Sequence, residues 1–510
     1  MKLDKTRNVI QNTMFGLLSQ LLSMIAPFIL RTIILYELGT EYLGLNSLFT
    51  SILGVLGIAE LGFGNAIGFY MYKPIADDDS DAICAFVNLY KKCYTVIGFI
   101  ILACGILILP FLNEFVKGGC PSDINLYVLY CIYLCDTVMS YFMYAYKAAL
   151  FNTHQRESVL SFYRIILNLI LYSVQIVVLL IFKNYYIYIV FKPLYTIVYN
   201  IFISRKADKE YAQYIGKKRL VSKEIKKNVY VKVLALFGHK LGNAVINSAD
   251  NIVISTFLGL SMVGLYGNYY HIFSVLVAFL SIWHNSMTAG IGNELYLSSD
   301  SNLKKNFEIV SLLNNWVVSW CTICLLCLYQ PFMELWVGSE NMLSFSTVIF
   351  FAIDFYVWQV RKIVLTYKDA GGLWNEDFWK PYIGAAFNLS MNIILVKNWG
   401  INGVLVSTIV SMGLIYTPWE TMVLYHKIFK TSVKEFWIKY VSNALICIIG
   451  AILTYGVCAL FCERNIVGFI LKCGVCIILP NVIIYFFFRK NIYYIEMKNK
   501  FLSILRRKIL

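Results

Sequence analysis

Six acidic or basic residues and one histidine stand inside runs that are otherwise apolar, and any chemistry this sequence performs has to begin with them. Arg31 ends the run "MIAPFILR" four residues after Pro27. Glu60 interrupts "AELGFGNAIG", His239 and Lys240 share "FGHKLG", and Asp250, Asp354 and Glu420 stand in later apolar stretches. A charge among lipid tails costs several kcal/mol, so such residues normally face a bundle interior, pair with one another or line a wet cavity. Arg31 lies about 10 Å inside the end of its segment at 1.5 Å per residue. It either snorkels to the interface or serves as a cavity cation. Pro27 frees the carbonyl of Ser23 and should kink the helix. Lys240, about 16 Å into its segment, cannot easily snorkel. An inward-facing role is favoured over a structural ion pair with Asp250, which lies nearly three turns on and needs a partner from another helix. Glu60 either neutralises Arg31 or Lys240 or takes up a proton or sodium ion. Asp354 and Glu420, with Arg361 and Lys362, are further candidates, although Arg361 and Lys362 also fit a simple charge rule at a membrane surface. The pattern calls for binding and ion exchange, and for no covalent chemistry, metal or cofactor. The cysteines in Cys321-Cys324-Cys327 and Cys473-Cys476 have C-x-x-C spacing but no neighbouring His cluster, and are read as small apolar filler.

The elements that hold these residues follow from composition. With 59% hydrophobic and 14% charged residues in a chain of 510, and a mean hydropathy of +0.66, the chain is too apolar for a water-soluble globule. Segments of about 20 apolar residues, enough to cross about 30 Å of hydrocarbon, occur fourteen times: 9–36, 43–71, 93–112, 124–146, 159–182, 185–203, 230–256, 262–288, 308–329, 343–365, 378–396, 401–424, 438–461 and 468–488. The first is too long for a signal-peptide core and is expected to remain as a signal anchor. An all-α polytopic membrane protein of about fourteen transmembrane helices is expected.

Orientation follows from Lys and Arg, which stay on the cytoplasmic side. With the N-terminus inside, 36 of the 44 fall in inner loops and tails; Lys117, Lys183, Lys397 and Arg464 fall outside, and Arg31, Lys192, Lys240 and Lys472 lie within spans. Both termini are then cytoplasmic. The net charge of +15 is a topology signal and gives no reason to invoke nucleic acid.

"LYELGTEYLGL" (35–45) and "STFLGLSMVGL" (255–265) share Leu-Gly, four residues, then Gly-Leu. Shifting the chain by 220 residues superposes Arg7-Asn8-Val9 on Lys227-Asn228-Val229, Leu38-Gly39 on Leu258-Gly259, Gly44-Leu45 on Gly264-Leu265, Val55-Leu56 on Val275-Leu276, and Asn168-Leu169 on Asn388-Leu389. One register across five helices predicts two six-helix lobes in pseudo-two-fold repeat, with parallel orientation, plus two extra C-terminal helices. The expected divisions are an N-lobe (1–203), a basic cytoplasmic linker (204–229), a C-lobe (230–425), and helices 13–14 with a basic tail (426–510). Gly64-x3-Gly68 is a spacing that lets another helix approach closely.

Six plus six plus two spans joined by a basic loop, with "RTIILYELGTEYLGLNSLFTSILGVLGIAELGFGNAI" (31–67) and "SADNIVISTFLGLSMVGLYGNYY" (248–270), resembles the MOP exporter superfamily. The closest likeness is to its polysaccharide transporter branch, the Wzx-type flippases. The resemblance implies transport of a polyprenyl-pyrophosphate-linked oligosaccharide across the bacterial cytoplasmic membrane, with Arg31, Lys240 and His239 facing the pyrophosphate while the prenyl tail stays in lipid. It implies proton or sodium coupling in which Glu60, Asp250, Asp354 or Glu420 takes part. Tyr36, Tyr42, Tyr70 and Tyr72, near span ends, fit an interfacial belt, and any that face the cavity could stack on sugars. Two other classes compete. A multidrug exporter of the same superfamily would use acidic residues for cationic drugs, and an integral polymerase or ligase would need a large outer loop. The longest outer loop expected is Gln330 to Met342.

Overall fold

A computed structural model describes residues 5–60, 63–217, 219–297, 300–461 and 465–499. Sixteen α-helices occur in chain order: α1 (Lys5–Glu37), α2 (Thr40–Leu56), α3 (Phe63–Ala76), α4 (Ser80–Ile108), α5 (Leu126–Phe142), α6 (Ala148–Thr153), α7 (Glu157–Phe182), α8 (Tyr185–Glu210), α9 (Lys223–Leu258), α10 (Leu260–Leu297), α11 (Asp300–Val337), α12 (Phe345–Ala370), α13 (Lys380–Ser411), α14 (Thr417–Leu424), α15 (Lys434–Ala459) and α16 (Ile466–Phe488). There is no strand among the described residues.

Each of the fourteen expected spans falls on helical segments, two of them divided between consecutive helices. Among the described residues nine helical stretches are long and apolar enough by themselves to cross a membrane, or ten if the bent pair of Leu126–Phe142 and Ala145–Thr153 counts as one. Local causes account for several of the others. The span expected at 43–71 is broken, with α2 giving way to a 3-10 turn at Gly57–Glu60 before α3 starts at Phe63. The expected pair 378–396 and 401–424 runs together as one long stretch, yet Gly400, at φ +56°, sits outside helical geometry and splits α13 there. In α12, Asp354, Arg361, Lys362, Lys368 and Asp369 dilute the apolar signal. α11 continues through Pro331 to Val337, so most of the expected outer loop Gln330 to Met342 is helix. α1 likewise runs through Pro27 without interruption. Large apolar side chains such as Leu107, Ile181, Phe279 and Ile452 are about two-thirds exposed, a cost that only a lipid surround removes.

The chain separates into two compact units, Met1–Asn268 and Tyr269–Leu510. In the first, α1 packs on α7, α5 on α8, α4 on α3 and α5, and α9 along α2 and α3. The basic stretch from Ser204 to Lys227 is tied into this unit. Lys147 pairs with Asp208 at 2.6 Å and Arg219 with Asp81 at 2.8 Å, and the Asn88 side-chain amide donates to the carbonyls of Lys217 and Arg219. In the second unit α11 contacts α12, α15 and α16, and α12 packs on α13 and α14. Ile291, Phe307, Ile363, Tyr367, Tyr425 and Phe429 form one apolar core there.

The recurring Leu-Gly/Gly-Leu pattern has a structural reason. Gly39 and Gly259, 220 residues apart, both adopt left-handed φ, +115° and +94°, and each ends one helix immediately before the next begins, at Thr40 and Leu260. The opening turns of α2 and α10 then cross. A Cβ on Gly44 would lie 2.1 Å from the Leu260 carbonyl oxygen, and one on Gly264 would lie 2.2 Å from that of Thr40. Each glycine lies under the first carbonyl of the other copy's helix, a reciprocal contact that requires both.

Candidate functional site

Arg31 projects from α1 toward the opening turns of α10. Its Nε donates to the Asn268 side-chain oxygen at 2.9 Å and its Nη2 to the Gly264 carbonyl at 3.4 Å. A Cβ on Gly267 would lie 2.7 Å from Nη2 and 3.1 Å from the Ser47 hydroxyl, so the glycine leaves the guanidinium its space. These acceptors are neutral, and among the described residues no carboxylate pairs with Arg31. A half-buried guanidinium held by dipoles keeps its full charge for an anion.

A second cation joins the same region. Tyr185, Tyr188 and Lys192 repeat at i, i+3 and i+7 on α8 and share a face. The Tyr185 and Tyr188 rings lie 5.3–5.4 Å from neighbours in a series running Tyr42, Tyr185, Tyr188. Tyr133 donates to Asn46 at 2.7 Å and shares a 2.9 Å hydrogen bond with Tyr185. Lys192 donates to the same Asn46 oxygen at 3.2 Å and lies 5.1 Å over the Tyr133 ring. The Tyr185 and Tyr188 hydroxyls lie near Arg31. Two cations thus flank one group of tyrosines, a combination suited to a phosphate and a sugar. Sequence reasoning counted Lys192 among the charges within spans and gave it no role. The available signal was its position inside an apolar run, beside Pro193.

Glu60 does not meet Arg31. Tyr94 donates to one of its oxygens and Tyr141 to the other at 3.0 Å, and Tyr90 donates to Tyr94 at 3.0 Å. Among the described residues no cation pairs with this carboxylate. Three tyrosines therefore hold a single acid at the break between α2 and α3. Gly64 faces the same group: a Cβ there would lie 2.8 Å from the Tyr90 hydroxyl. Asp250 is buried on α9 with the Tyr266 hydroxyl 3.4 Å away, and Asp354 is buried on α12. His239 and Lys240 fall on α9, with side chains outside the described set.

Glu420 belongs to a different arrangement, at one end of the second unit. Lys380 reaches one of its oxygens at 2.6 Å and Arg361 the other at 3.4 Å. Lys380 also contacts Asp377, which Lys368 meets at 2.8 Å, and Lys368 lies 3.3 Å from Asp369. Arg361 and Lys380 stand 5.2 and 5.8 Å from the centre of the Tyr416 ring. Arg361, Lys368, Asp377, Lys380 and Glu420 are all essentially buried. With Asp369 the set holds three cations and three anions. Burial alone would raise the Asp377 carboxyl, but Lys380 and Lys368 outweigh it and hold it below the usual carboxylate range. Sequence reasoning assigned Lys368 to an inner loop and did not single out Asp377 or Lys380.

Residues 9–285, more than half the chain, match the model of the family described as polysaccharide biosynthesis protein. The chain belongs to that family. A membrane protein of Methanocaldococcus jannaschii is 20% identical over 432 residues, covering 78% of this chain and 81% of its own. Among solved structures, the lipid II flippase MurJ in an inward closed conformation has a TM-score of 0.65 at 15% identity, covering 94% of this chain and 99% of that one. An inward-facing multidrug resistance MATE family transporter of the MOP superfamily has a TM-score of 0.60 at 14% identity, covering 81% and 96%. The family is thus that of polysaccharide biosynthesis proteins, and the fold is that of the MurJ and MATE structures, in line with the likeness that the segments 31–67 and 248–270 led us to expect.

Proposed function

We propose that this protein is a flippase that moves a polyprenyl-pyrophosphate-linked oligosaccharide across the bacterial cytoplasmic membrane by alternating access. The observation that carries the reading is the Arg31 guanidinium, bound only by neutral acceptors among the described residues and flanked by the Lys192–tyrosine group. A pyrophosphate needs paired cations, and Arg31 with Lys192 supplies them; Lys240 and His239 remain candidates from the second copy of the repeat. Tyrosine faces and hydroxyls suit the sugars, while the prenyl tail stays among the exposed apolar side chains. Glu60, held by tyrosine hydroxyls, is the candidate for a coupling proton or sodium ion, with Asp250 and Asp354 as alternatives. Binding and release suffice for this function, and no bond is made or broken. The lobes at 1–203 and 230–425, the linker at 204–229 and the last two helices at 426–510 are the working divisions of this proposal.

Deleting the gene should leave the lipid-linked oligosaccharide on the cytoplasmic leaflet and surface polysaccharide absent. Complementation with Arg31→Ala or Lys240→Ala should fail although the protein still reaches the membrane, whereas Cys324→Ala should restore the polysaccharide. If both alanine variants complement fully, the cations are structural. If the deletion strain keeps normal polysaccharide but becomes sensitive to cationic dyes, the multidrug exporter reading replaces this one.

The proposed orientation follows from the distribution of Lys and Arg. Cysteine labelling with an impermeant reagent should leave sites within Ser204 to Lys227 unreacted in intact cells and should modify a cysteine introduced at Gly338. The reverse pattern rejects both cytoplasmic termini.

A further inference from the structure

Three helices of the second unit each contribute one thiol to a single point: Cys327 from α11, Cys458 from the last turn of α15 and Cys476 from α16. Their sulfurs all lie within 4.8 Å of one another, with 3.9 Å between Cys458 and Cys476, and each residue is at most 3% exposed. The two C-x-x-C runs donate one member apiece, so the cluster is not the product of either spacing.

We propose that Cys327, Cys458 and Cys476 form a zinc site that ties α15 and α16 to α11. A disulfide needs sulfurs about 2.05 Å apart, so the 3.9 Å contact is between free thiols. Thiolates about 2.3 Å from a shared zinc ion sit roughly 3.8 Å from one another, close to the 3.9 Å between Cys458 and Cys476 and within the 4.8 Å that bounds all three. Softness alone would admit monovalent copper as well, and charge decides between them. Three thiolates with a divalent ion leave one negative charge, and with a monovalent ion they leave two. Lys472 borders the adjoining cavity of about 540 Å³, together with Cys327, Cys458, Gln330, Glu334 and Asn465. With Lys472 and Glu334 both counted, one negative charge is left over in the divalent case and two in the monovalent case, in a setting where unpaired charge is costly. The cavity has room for the water that completes four-coordination. Binding converts three thiols to thiolates and releases three protons, so affinity should rise with pH.

The test uses the full-length chain, carrying no histidine tag and purified in detergent under reductant. After equilibrium dialysis against zinc chloride, one zinc per chain is expected, and Co²⁺ in its place should show a thiolate charge-transfer band. Cys327→Ser, Cys458→Ser or Cys476→Ser should each weaken binding roughly tenfold or more, while Cys324→Ser and Cys473→Ser bind as the wild type does. The cobalt band of the unaltered protein stands even if a serine variant misfolds. Zinc retention no greater than that of the Cys327→Ser/Cys458→Ser/Cys476→Ser triple variant would overturn the proposal. So would copper(I) retention without zinc, or a Cys458–Cys476 disulfide found by peptide mass spectrometry in protein purified without reductant.

Discussion

Glu420→Ala should lower the stability of the second unit by about 3–5 kcal/mol, the range for removing one partner of a buried ion pair. Glu420 lies between Arg361 and Lys380, and all three are essentially buried. With Glu420 gone, Arg361, Lys368 and Lys380 stand as three cations against the two anions Asp369 and Asp377, and all three cations are buried. Glu420→Gln keeps a hydrogen-bond acceptor for Lys380 but leaves the same surplus, so it should recover only part of the loss. Removing charge on both sides, as in Glu420→Gln/Arg361→Gln, should cost less than the sum of the single changes, because the two positions share one interaction. Thermal denaturation in detergent measures all three. An unchanged midpoint for Glu420→Ala would mean that the buried network contributes nothing and that Glu420 has to be reconsidered as an ion-coupling group.

Gly44→Ala and Gly264→Ala should each cost about 1–3 kcal/mol through overpacking, and each should reduce complementation of the deletion strain. The new methyl would lie 2.1 or 2.2 Å from a backbone carbonyl oxygen. A backbone atom cannot rotate aside, so the opening turns of α2 and α10 have to separate. Since one separation makes room for both methyls, the double variant should cost less than twice a single one. Gly54→Ala is the control on the same helix. Its methyl would meet only the Ser248 hydroxyl at 3.2 Å, a side chain that can turn away. Equal losses at Gly44 and Gly54 would show that helix propensity, not the crossing, sets the effect.

Sequence reasoning located these features unevenly, for physical reasons. The paired glycines were legible because a left-handed φ and a close crossing both demand glycine, and demand it twice at one offset. Arg31, Glu60 and Glu420 stood out because charge inside an apolar run is expensive wherever it points. Their partners did not stand out. Asn268 lies 237 residues from Arg31, and Tyr94 and Tyr141 look like ordinary apolar filler until Glu60 is placed between them. Lys368 and Lys380 fit the positive-inside rule so well that burial was not suspected. The break after Leu56 was hidden for a similar reason, since an apolar run does not record where its helix changes pitch. The thiol cluster was missed because spacing arguments compare residues along one helix, while its members come from three.

The central claim is that the protein moves an anionic, lipid-linked sugar. The most direct measurement reconstitutes purified protein into vesicles carrying a labelled polyprenyl-pyrophosphate oligosaccharide in the inner leaflet and follows its exposure to an impermeant lectin. The account predicts exposure dependent on the wild-type protein, and at least tenfold slower with Arg31→Ala, since loss of one charge-assisted contact worth about 1.5–3 kcal/mol corresponds to that factor or more. No exposure above protein-free vesicles, in a preparation that does carry a quaternary ammonium dye across the same membrane, would contradict it.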